Sequence, residues 1–351
     1  MRIGILSNVF ESTLANTEVE QDLTSVGRAI EAALATTGHE TIFYDVNEET
    51  FDRISKDNLD AVFNVCERYN GRSVLEPNVA SMLELLRIPY TGSSPWALAL
   101  CMNKIRVHEI LSHHGLPIPK HQIFTSSRQK LSADLSYPVI VKPSAMDNSI
   151  GITTKSVVHN DDELQEQVAN LLGAYGQACI VEEFLPGREF TIGVIGNEKP
   201  FTLPVCEVSF EGIPEGTPAI LSYEAKWYRN SEEYQGTPII CPAKIPVELE
   251  LTMCQLALRA FTLLGVRDYG RVDFRLDAEG NPHILEMNPN PGMNPEDFIP
   301  IAAQAAGISY PKLINRILKE TVARNDIKPT GNGHSPKEQH EKEHNGNSRR
   351  E

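Results

Sequence analysis

Residues 270–292, GRVDFRLDAEGNPHILEMNPNPG, form the stretch that decides the fold of this chain. Apolar and polar residues alternate on both sides of a Gly-Asn-Pro sequence at 280–282, which is typical of two strands joined by a tight connection. Because side chains alternate between the two faces of a strand, Glu286 and Asn288 share one face. Pairing across the hairpin brings Asp273 onto the same face.

Three oxygen ligands on one face suit a divalent metal. Asp273 and Glu286 supply carboxylates and Asn288 supplies an amide oxygen, and Mg²⁺ accepts such hard ligands beside phosphate oxygens. Arg271, on the strand of Asp273, would then stand beside a transferred phosphate. An exposed charged hairpin is the alternative interpretation, and the pattern alone leaves both open.

Length and composition predict an ordinary soluble protein of two or three domains. The chain has 351 residues, 41% of them hydrophobic, and no apolar run long enough to span a bilayer. The net charge of −15 argues against nucleic acid or an anionic membrane as the main partner. Six scattered cysteines predict neither disulfides nor a zinc site, and we expect a cytoplasmic location.

The order of strand and helix signals predicts α/β and α+β units in sequence. Residues 1–100 alternate the two signals, as in an open parallel sheet that binds substrate or forms a dimer. Residues 101–184 and 185–324 predict two further units, the second of which holds the hairpin, and residues 325–351 predict a disordered tail. Strands are predicted at 2–7, 40–45, 60–66, 88–93, 122–124, 139–142, 179–183, 189–195, 219–221, 239–241 and 283–288. Helices are predicted at 22–36, 78–86, 102–114, 161–172, 247–264 and 310–324.

Four more segments predict contacts with a triphosphate. Lys142 closes an apolar strand and precedes a proline, so its ammonium is more readily aimed at a ligand than at solvent. Lys104 is a second candidate. The loop PSAMDNSIG at 143–151 offers backbone N–H groups, and IVEEFLPGREF at 180–190 offers Glu182 or Glu189 to an adenine and a ribose. A surface lysine and a solvated strand end are the alternatives.

Taken in order, these segments resemble the ATP-grasp ligases, specifically the D-alanine–D-alanine ligase family. The resemblance rests on Lys104, VIVKPS, SIG, VEEFLPGREFT, YEAKW, CPA, GRVDF and LEMNPNPGMNPEDFIPIAAQAAGISY, and it covers roughly residues 60–318. It implies an ATP-grasp fold preceded by an open parallel α/β (pre-ATP-grasp) domain. It also implies that a substrate carboxylate attacks the γ-phosphate of ATP, that an amine displaces phosphate from the acyl phosphate, and that the enzyme is a homodimer.

The resemblance assigns roles residue by residue. The implied ATP-binding residues are Lys104, Lys142, Ser149, Glu182, Glu183, Glu189 and Lys226. Asp273, Glu286 and Asn288 would hold two Mg²⁺ ions, which Mn²⁺ could replace. Arg271, with the backbone at Gly292, would stabilise the acyl phosphate and the oxyanion, a contribution typically worth ~3 kcal/mol.

The substrate positions depart from the family pattern. The implied substrate residues are Glu20, Asn148, Trp227 and Asp297. Trp227 stands where the family has Tyr, Asn148 and Asp297 stand where it has Ser, and Glu67 stands where a His is expected. An ionised Asp297 would repel a substrate carboxylate by ~1 to 4 kcal/mol at about 4 Å. Asp297 would therefore meet a cationic group on the acceptor, or else cap a helix that begins at residue 298.

These observations predict an ATP-dependent carboxylate–amine ligase acting on small amino-acid-like substrates and releasing ADP and phosphate. A genuine D-alanine–D-alanine ligase of cell-wall synthesis is the alternative within the class. An ATP-binding module that has lost catalysis is the alternative outside it. Arg271 beside the three metal ligands favours an enzyme, because a pure binder has no need of an oxyanion-stabilising group.

Overall fold

The computed structural model describes residues 1–8, 17–146 and 148–327, with the side chains of residues 17–24 outside the description. The predicted disordered tail falls outside the described residues from residue 328 onward. None of the helices in the described part combines the length and the apolar content needed to cross a bilayer. All six cysteines are free thiols.

The N-terminal part is a three-stranded parallel sheet with strand order β2-β1-β3, which confirms the predicted open α/β arrangement. Its elements are β1 (Arg2–Ser7), α1 (Thr17–Thr36), β2 (Glu40–Asp45), α2 (Thr50–Lys56) and β3 (Ala61–Asn64). Strand β1 is apolar and buried, as expected where helices cover a parallel sheet.

Residues 88–93 are predicted as a strand that runs into a turn; the turn occurs at Gly92, but the strand is wrong. Only an isolated bridge joins Val62 of β3 to Tyr90, and no ladder follows it. Pro89 has no N–H to donate, and the chain turns at Gly92, whose φ of 90° suits glycine. The segment therefore runs beside β3 without extending the sheet.

Three helices link this sheet to the rest of the chain: α3 (Glu76–Leu85), α4 (Pro95–Cys101) and α5 (Lys104–His113). The single helix predicted from 102 to 114 begins instead at Lys104. The Asn103 side chain accepts a hydrogen bond from the backbone N–H of Arg106 and so forms the N-cap of α5. This cap sets Lys104 in the first turn of the helix.

The central part is a four-stranded antiparallel sheet of order β4-β7-β5-β6. Its elements are β4 (His121–Phe124), β5 (Val139–Pro143), β6 (Val157–Val158), α6 (Asp161–Tyr175) and β7 (Cys179–Glu183). Helix α6 starts at an Asn160 cap, continues past the predicted end at 172, and stops at Gly176, which has a φ of 62°.

The C-terminal part is a six-stranded sheet of order β11-β10-β8-β12-β13, with β9 paired to β8. Its strands are β8 (Glu189–Ile195), β9 (Phe201–Thr202), β10 (Cys206–Val208), β11 (Ile239–Ile240), β12 (Tyr269–Leu276) and β13 (Pro282–Asn288). Its helices are α7 (Tyr223–Trp227), α8 (Glu232–Gln235), α9 (Val247–Leu263), α10 (Phe298–Ala305) and α11 (Tyr310–Arg324).

The predicted strand at 219–221 is also wrong. The backbone N–H of Ile220 donates to the Pro218 carbonyl, and that of Ser222 donates to the Ile220 carbonyl. These tight local turns use the backbone N–H and C=O groups that a strand would pair with a neighbouring strand.

The side chains of the β12–β13 hairpin lie on the faces of the sheet that the sequence predicts. Asp273 lies directly opposite Glu286, and Arg271 lies opposite Asn288. The register shifts after Asp273, so that Phe274 pairs with Ile284 and an extra residue lies on β13. The prediction that Asp273, Glu286 and Asn288 share a face is confirmed.

Two apolar cores cross the predicted domain limits. Val107 and Leu111 of α5 pack with Phe190 and Phe274 of the C-terminal sheet, although α5 belongs to the range 101–184. Helix α1 packs against α11. The domain limits themselves stay predictions.

Candidate active site

A central cleft lies between the central and C-terminal sheets. It measures about 880 Å³, counting the space open to solvent. Twelve of the residues singled out in the sequence line it: Lys104, Lys142, Asn148, Ser149, Glu182, Glu183, Glu189, Lys226, Arg271, Asp273, Glu286 and Asn288. The fold therefore brings together residues that are up to 184 positions apart in the sequence.

Lys142 and Glu182 form a buried ion pair on neighbouring strands β5 and β7. The Lys142 ammonium donates to Glu182 Oε2 at 2.6 Å. Burial alone would raise the pKa of Glu182, but the adjacent Lys142 ammonium outweighs burial and holds that pKa below its ordinary value. Glu182 Oε1 has no hydrogen-bond partner within the described residues, which leaves a buried acceptor at the cleft.

Lys104 reaches the cleft from the first turn of α5. Its ammonium donates to the Met146 carbonyl at 2.6 Å and lies 3.3 Å from Glu286 Oε2. Burial would raise the pKa of Glu286, but Lys104 and Arg271 lower it below the ordinary value. Glu286 is therefore ionised at neutral pH, and a triphosphate could take its place beside Lys104.

Arg271 and Asp273 form a forked ion pair along β12. Arg271 Nε donates to Asp273 Oδ1 at 2.9 Å and Nη2 donates to Oδ2 at 2.8 Å, while the Thr191 hydroxyl also donates to Oδ1. Burial alone would lower the pKa of Arg271. The Asp273 and Glu286 carboxylates outweigh burial and raise that pKa above its ordinary value. The guanidinium is thus a fixed positive charge beside the metal-ligand candidates.

The metal-ligand candidates fit a hard divalent cation. Asp273 and Glu286 face each other across the hairpin. Glu286 keeps lone pairs beyond the one that faces Lys104, whereas a metal at Asp273 would replace a hydrogen bond from Arg271 or Thr191. The Asn288 amide oxygen accepts from the Asn290 backbone N–H at 3.0 Å and keeps a second lone pair. No group of three His, Cys, Asp or Glu side chains with metal-binding geometry occurs in the described ranges. Two carboxylates and one amide are few enough ligands to suit Mg²⁺ rather than Zn²⁺.

Two other predicted residues fix the walls of the cleft. The Ser149 hydroxyl donates to the Leu221 carbonyl at 2.9 Å, which ties the 143–151 loop to the C-terminal part. Glu183 Oε1 accepts from the Lys120 backbone N–H at 2.8 Å. Both side chains therefore have structural partners as well as a place at the cleft.

Asn148 joins three parts of the chain. Its Nδ2 donates to Glu67 Oε2 at 2.9 Å, its Oδ1 accepts from the Lys226 ammonium at 2.8 Å, and its carbonyl accepts from Trp227 Nε1 at 3.0 Å. Burial and the nearby Arg271 lower the pKa of Lys226. Glu67 and Trp227, two positions that depart from the family pattern, thus both contact a third, Asn148.

Asp297 stands at the N-cap position of α10 but does not cap it with its side chain. Its Oδ2 instead accepts from the Asn294 backbone N–H at 2.6 Å. A Cβ added to Gly292 would lie 2.6 Å from the same oxygen, so the carboxylate rests against the Gly292 backbone. The helix-cap interpretation is wrong for the side chain.

Trp227 and Asp297 line a second opening, the outer cleft, together with Tyr228, Arg229, Tyr234 and Asn294. It adjoins the central cleft at Lys226, which lines both. Glu20 lies in α1, but its side chain is outside the described residues.

Comparisons with known proteins identify the family. The family model "D-ala D-ala ligase C-terminus" matches residues 110–319. The D-alanine–D-alanine ligase of Desulforudis audaxviator is 32% identical over 91% of this chain and 97% of its own. The chain belongs to the D-alanine–D-alanine ligase family.

Other relatives extend this comparison. The "Uncharacterized protein y4sG" of Sinorhizobium fredii is 34% identical over 84% of this chain and 86% of its own. The crystal structure of D-alanine–D-alanine ligase from Bacillus anthracis complexed with ATP superposes with a TM-score of 0.72 at 23% identity, covering 93% of this chain and 99% of that one. The ATP-grasp fold expected from the sequence is therefore confirmed.

Membership of the D-alanine–D-alanine ligase family makes this protein an ATP-dependent ligase that forms carbon–nitrogen bonds. One charged residue that lines the cleft of the ligase was not predicted from the sequence. Arg275 lies two residues beyond Asp273 on the same face of β12 and pairs with Glu189. The alternation of Arg271, Asp273 and Arg275 along the strand was the available signal.

Proposed function

We propose that this ligase joins the carboxylate of one small amino-acid-like substrate to the amine of a different one. The observation that carries this proposal is the Asp297 carboxylate against the Gly292 backbone. A second carboxylate held there would be repelled, whereas a cationic group would be attracted. The acceptor is therefore an amine that carries a further positive group, rather than a second D-alanine.

ATP would bind with its adenine toward Glu182 and its phosphates toward the lysines. Ile140, Phe184 and Leu285 give the cleft apolar walls suited to a flat base. The unpaired Glu182 Oε1 suits an exocyclic amino group, because a buried acceptor without a donor is costly. Lys104 and Lys142 would meet the phosphates as point charges.

Asp273, Glu286 and Asn288 would hold Mg²⁺, as two ions or with Mn²⁺ in its place. The bound metal would supply neutralisation of phosphate charge and alignment of the reacting oxygens. Few protein ligands leave room for phosphate oxygens and water around each ion.

The chemistry needs positioned charge more than covalent work by the protein. The substrate carboxylate oxygen attacks the γ-phosphorus, and the bond to ADP breaks, which gives an acyl phosphate. The acceptor nitrogen then attacks the acyl carbon, and phosphate leaves as the carbon–oxygen bond breaks. Arg271, fixed by its fork with Asp273, lies on the cleft face, from which it would stabilise the oxyanion of that second step.

The Glu67–Asn148–Lys226 chain would close the substrate side of the cleft. It takes the place of the family's own arrangement at these positions, with Trp227 as a bulkier wall toward the outer cleft.

A homodimer would be tested separately, by the mass of the protein in solution.

The test is release of ADP and phosphate from MgATP against a panel of amino acids and amines, singly and in pairs. Release only with an unlike pair supports the proposal and names the substrates. Release with D-alanine alone would make this a genuine D-alanine–D-alanine ligase that tolerates Asp297. Binding of ATP without turnover on any pair would support the binding-module alternative.

A further inference from the structure

Cys206 and Cys241 lie opposite each other at the edge of the C-terminal sheet. Strands β10 and β11 are antiparallel, with Glu207 directly opposite Ile240, so the next pair in this register is Cys206 and Cys241. The Ala243 backbone N–H donates at 2.8 Å to the carbonyl of the residue before Cys206, and the chain therefore still runs beside β10 past Cys241. Two thiols that are 35 positions apart in the sequence thus meet across two strands.

The register makes this pair one whose side chains approach closely. Along an antiparallel ladder, hydrogen-bonded pairs alternate with pairs that exchange no hydrogen bonds and have Cα atoms about 4.5 Å apart. The Ser209 backbone N–H donates to the Pro238 carbonyl at 3.0 Å, which makes that pair a hydrogen-bonded one. Three steps along the ladder, Cys206 and Cys241 form a pair of the other kind. A disulfide needs Cα atoms about 4.4–6.8 Å apart, so this spacing permits one.

The two thiols differ in exposure and in acidity. Both pack with the apolar core beneath α10 and α11, where Cys206 is only 1% exposed and Cys241 is half-buried. Hydrogen bonding between the two thiols, together with burial, raises the pKa of Cys206. The same bond outweighs burial at Cys241 and lowers the pKa of that thiol. Cys241 is therefore the thiol that ionises first and that a reagent can reach.

Packing alone does not require this arrangement. A buried cysteine often serves only as a small apolar residue, and Ala or Val could fill the place of Cys206 in the core. Neither thiol lines the central cleft or has a part in the proposed ligation. A buried thiol that directly faces a more acidic and accessible one is what disulfide formation requires.

We propose that Cys206 and Cys241 are a peroxide-sensitive thiol pair that closes to a reversible disulfide between β10 and β11. The Cys241 thiolate attacks one oxygen of hydrogen peroxide and the O–O bond breaks, which gives a sulfenic acid and a hydroxide that takes up the proton released by Cys241. The Cys206 sulfur then attacks the Cys241 sulfur. The S–S bond forms, the S–O bond breaks, and the leaving hydroxide takes the Cys206 proton. Two thiols thereby lose two electrons, and one peroxide becomes two waters.

The disulfide would fasten the segment that contributes the Lys226 and Trp227 side chains to the clefts. Residues 209–238 connect β10 to β11 and contain both α7, which carries these two residues, and α8. Strand β11 is only two residues long and lies at the edge of the sheet. A covalent link at this edge would hinder detachment of the segment from the sheet. The inference is independent of which substrates the ligase joins.

The test treats the folded, fully reduced protein with a small molar excess of hydrogen peroxide and identifies the product by peptide mass mapping. We expect one intrachain disulfide between Cys206 and Cys241, with a loss of two hydrogen atoms in mass and full reversal by dithiothreitol. Oxidation should also raise the thermal midpoint by about 3 °C or more, because a closed ring of this length restricts the unfolded chain.

C241S and C254S are the matched variants. Cys254 is also half-buried, but it belongs to α9 and packs against a different core. C254S should form the disulfide as the unchanged protein does. C241S should form none, and its thermal midpoint should not rise with peroxide.

Oxidation of Cys241 to a sulfinic acid without a link to Cys206 would overturn the inference, because the two sulfurs would then be unable to meet. So would a lack of any reaction in the folded protein, or a link that forms only after unfolding. A disulfide that leaves the thermal midpoint unchanged would refute the fastening of residues 209–238. The assay contains no nucleotide or substrate, so its failure is distinct from failure of the proposed ligation.

Discussion

Asn148 Nδ2 donates a 2.9 Å hydrogen bond to Glu67 Oε2 and so connects the loop after β5 to the loop after β3. The same side chain accepts from Lys226 of α7. Because α7 belongs to the C-terminal part, one amide holds together all three sheets of the enzyme. Its backbone φ of 53° is uncommon for a residue other than glycine, although Asn adopts it more readily than most.

We predict that N148G lowers kcat/KM by roughly tenfold to a hundredfold. The variant removes the bonds to Glu67 and Lys226, each of which involves a charged group and is worth about 1.5–3 kcal/mol. Gly accepts the positive φ and keeps the carbonyl that binds Trp227, so the backbone path is retained. Steady-state kinetics with the identified substrates would measure this. Unchanged kinetics would show that the three-way contact has no part in turnover.

We predict that R271A lowers turnover by roughly a hundredfold or more while ATP binding survives. The guanidinium is proposed to act on charge that develops during the reaction, and loss of one such donor has this size of effect. R188A is the control, because Arg188 forms its fork with Glu207 outside the central cleft. Single-turnover assays and nucleotide titration would separate the two effects. Equal loss of binding and turnover in R271A would contradict the assigned role.

We predict that K142M lowers the free energy of unfolding by roughly 3–5 kcal/mol near pH 7. It leaves Glu182 as a buried charge without its cation. The double variant K142M/E182Q should recover much of the loss, since neither side chain is then charged. Urea unfolding of the variants would measure both values. A double variant as unstable as K142M would show that the pair matters for packing and not for charge.

The Lys142–Glu182 pair predicts that stability depends on pH in opposite ways in the unchanged protein and in K142M. In the unchanged protein the pKa of Glu182 is lowered, so its stabilisation is complete above the ordinary pKa of 4.5 and is lost as pH falls through the lower folded value. In K142M burial dominates and that pKa rises, so the loss of stability is largest at neutral pH and shrinks as pH falls toward 4.5. Unfolding at a series of pH values would test this. A stability difference that stays constant from neutral pH to about 4.5 would contradict the assignment.

We predict that D297S raises ADP release with D-alanine alone by about fivefold or more. Removing the negative charge beside Gly292 removes ~1 to 4 kcal/mol of repulsion from a second substrate carboxylate. E296S is the matched control, because Glu296 is the neighbouring residue and is largely exposed at its side chain. The coupled ADP assay would compare the two. An equal response of both variants would remove the basis for a cationic acceptor.

Local pattern predicted the elements that depend on local contacts. The hairpin of β12 and β13 followed from alternation and a Gly-Asn-Pro turn, so its facing could be read from 23 consecutive residues. The strands at 88–93 and 219–221 failed where prolines and local turns used up the backbone groups. Alternation records only which residues are apolar, and it does not show whether a partner strand is present.

The site residues that could not be predicted are those whose partners lie far away in the sequence. Arg275 was missed because its meaning depends on the register of β12 against β8, which puts it opposite Glu189. The contact of Asn148 with Glu67 joins residues 81 positions apart, and no local signal predicts it. Asp297 does occupy a helix N-cap, as the pattern indicates, but its side chain turns to a loop that only the tertiary fold brings near.

The central cleft contains as many cationic side chains as carboxylates, and this balance affects how a nucleotide enters. Five cationic side chains line the cleft, namely Lys104, Lys142, Lys226, Arg271 and Arg275, and five carboxylates match them: Glu182, Glu183, Glu189, Asp273 and Glu286. The formal charges of these ten side chains therefore cancel, in a protein whose formal charge is −15. Free ATP would bring surplus negative charge into a balanced site on an anionic molecule. ATP that carries a bound divalent cation has less negative charge, and we therefore expect it to enter this balanced site more readily than free ATP.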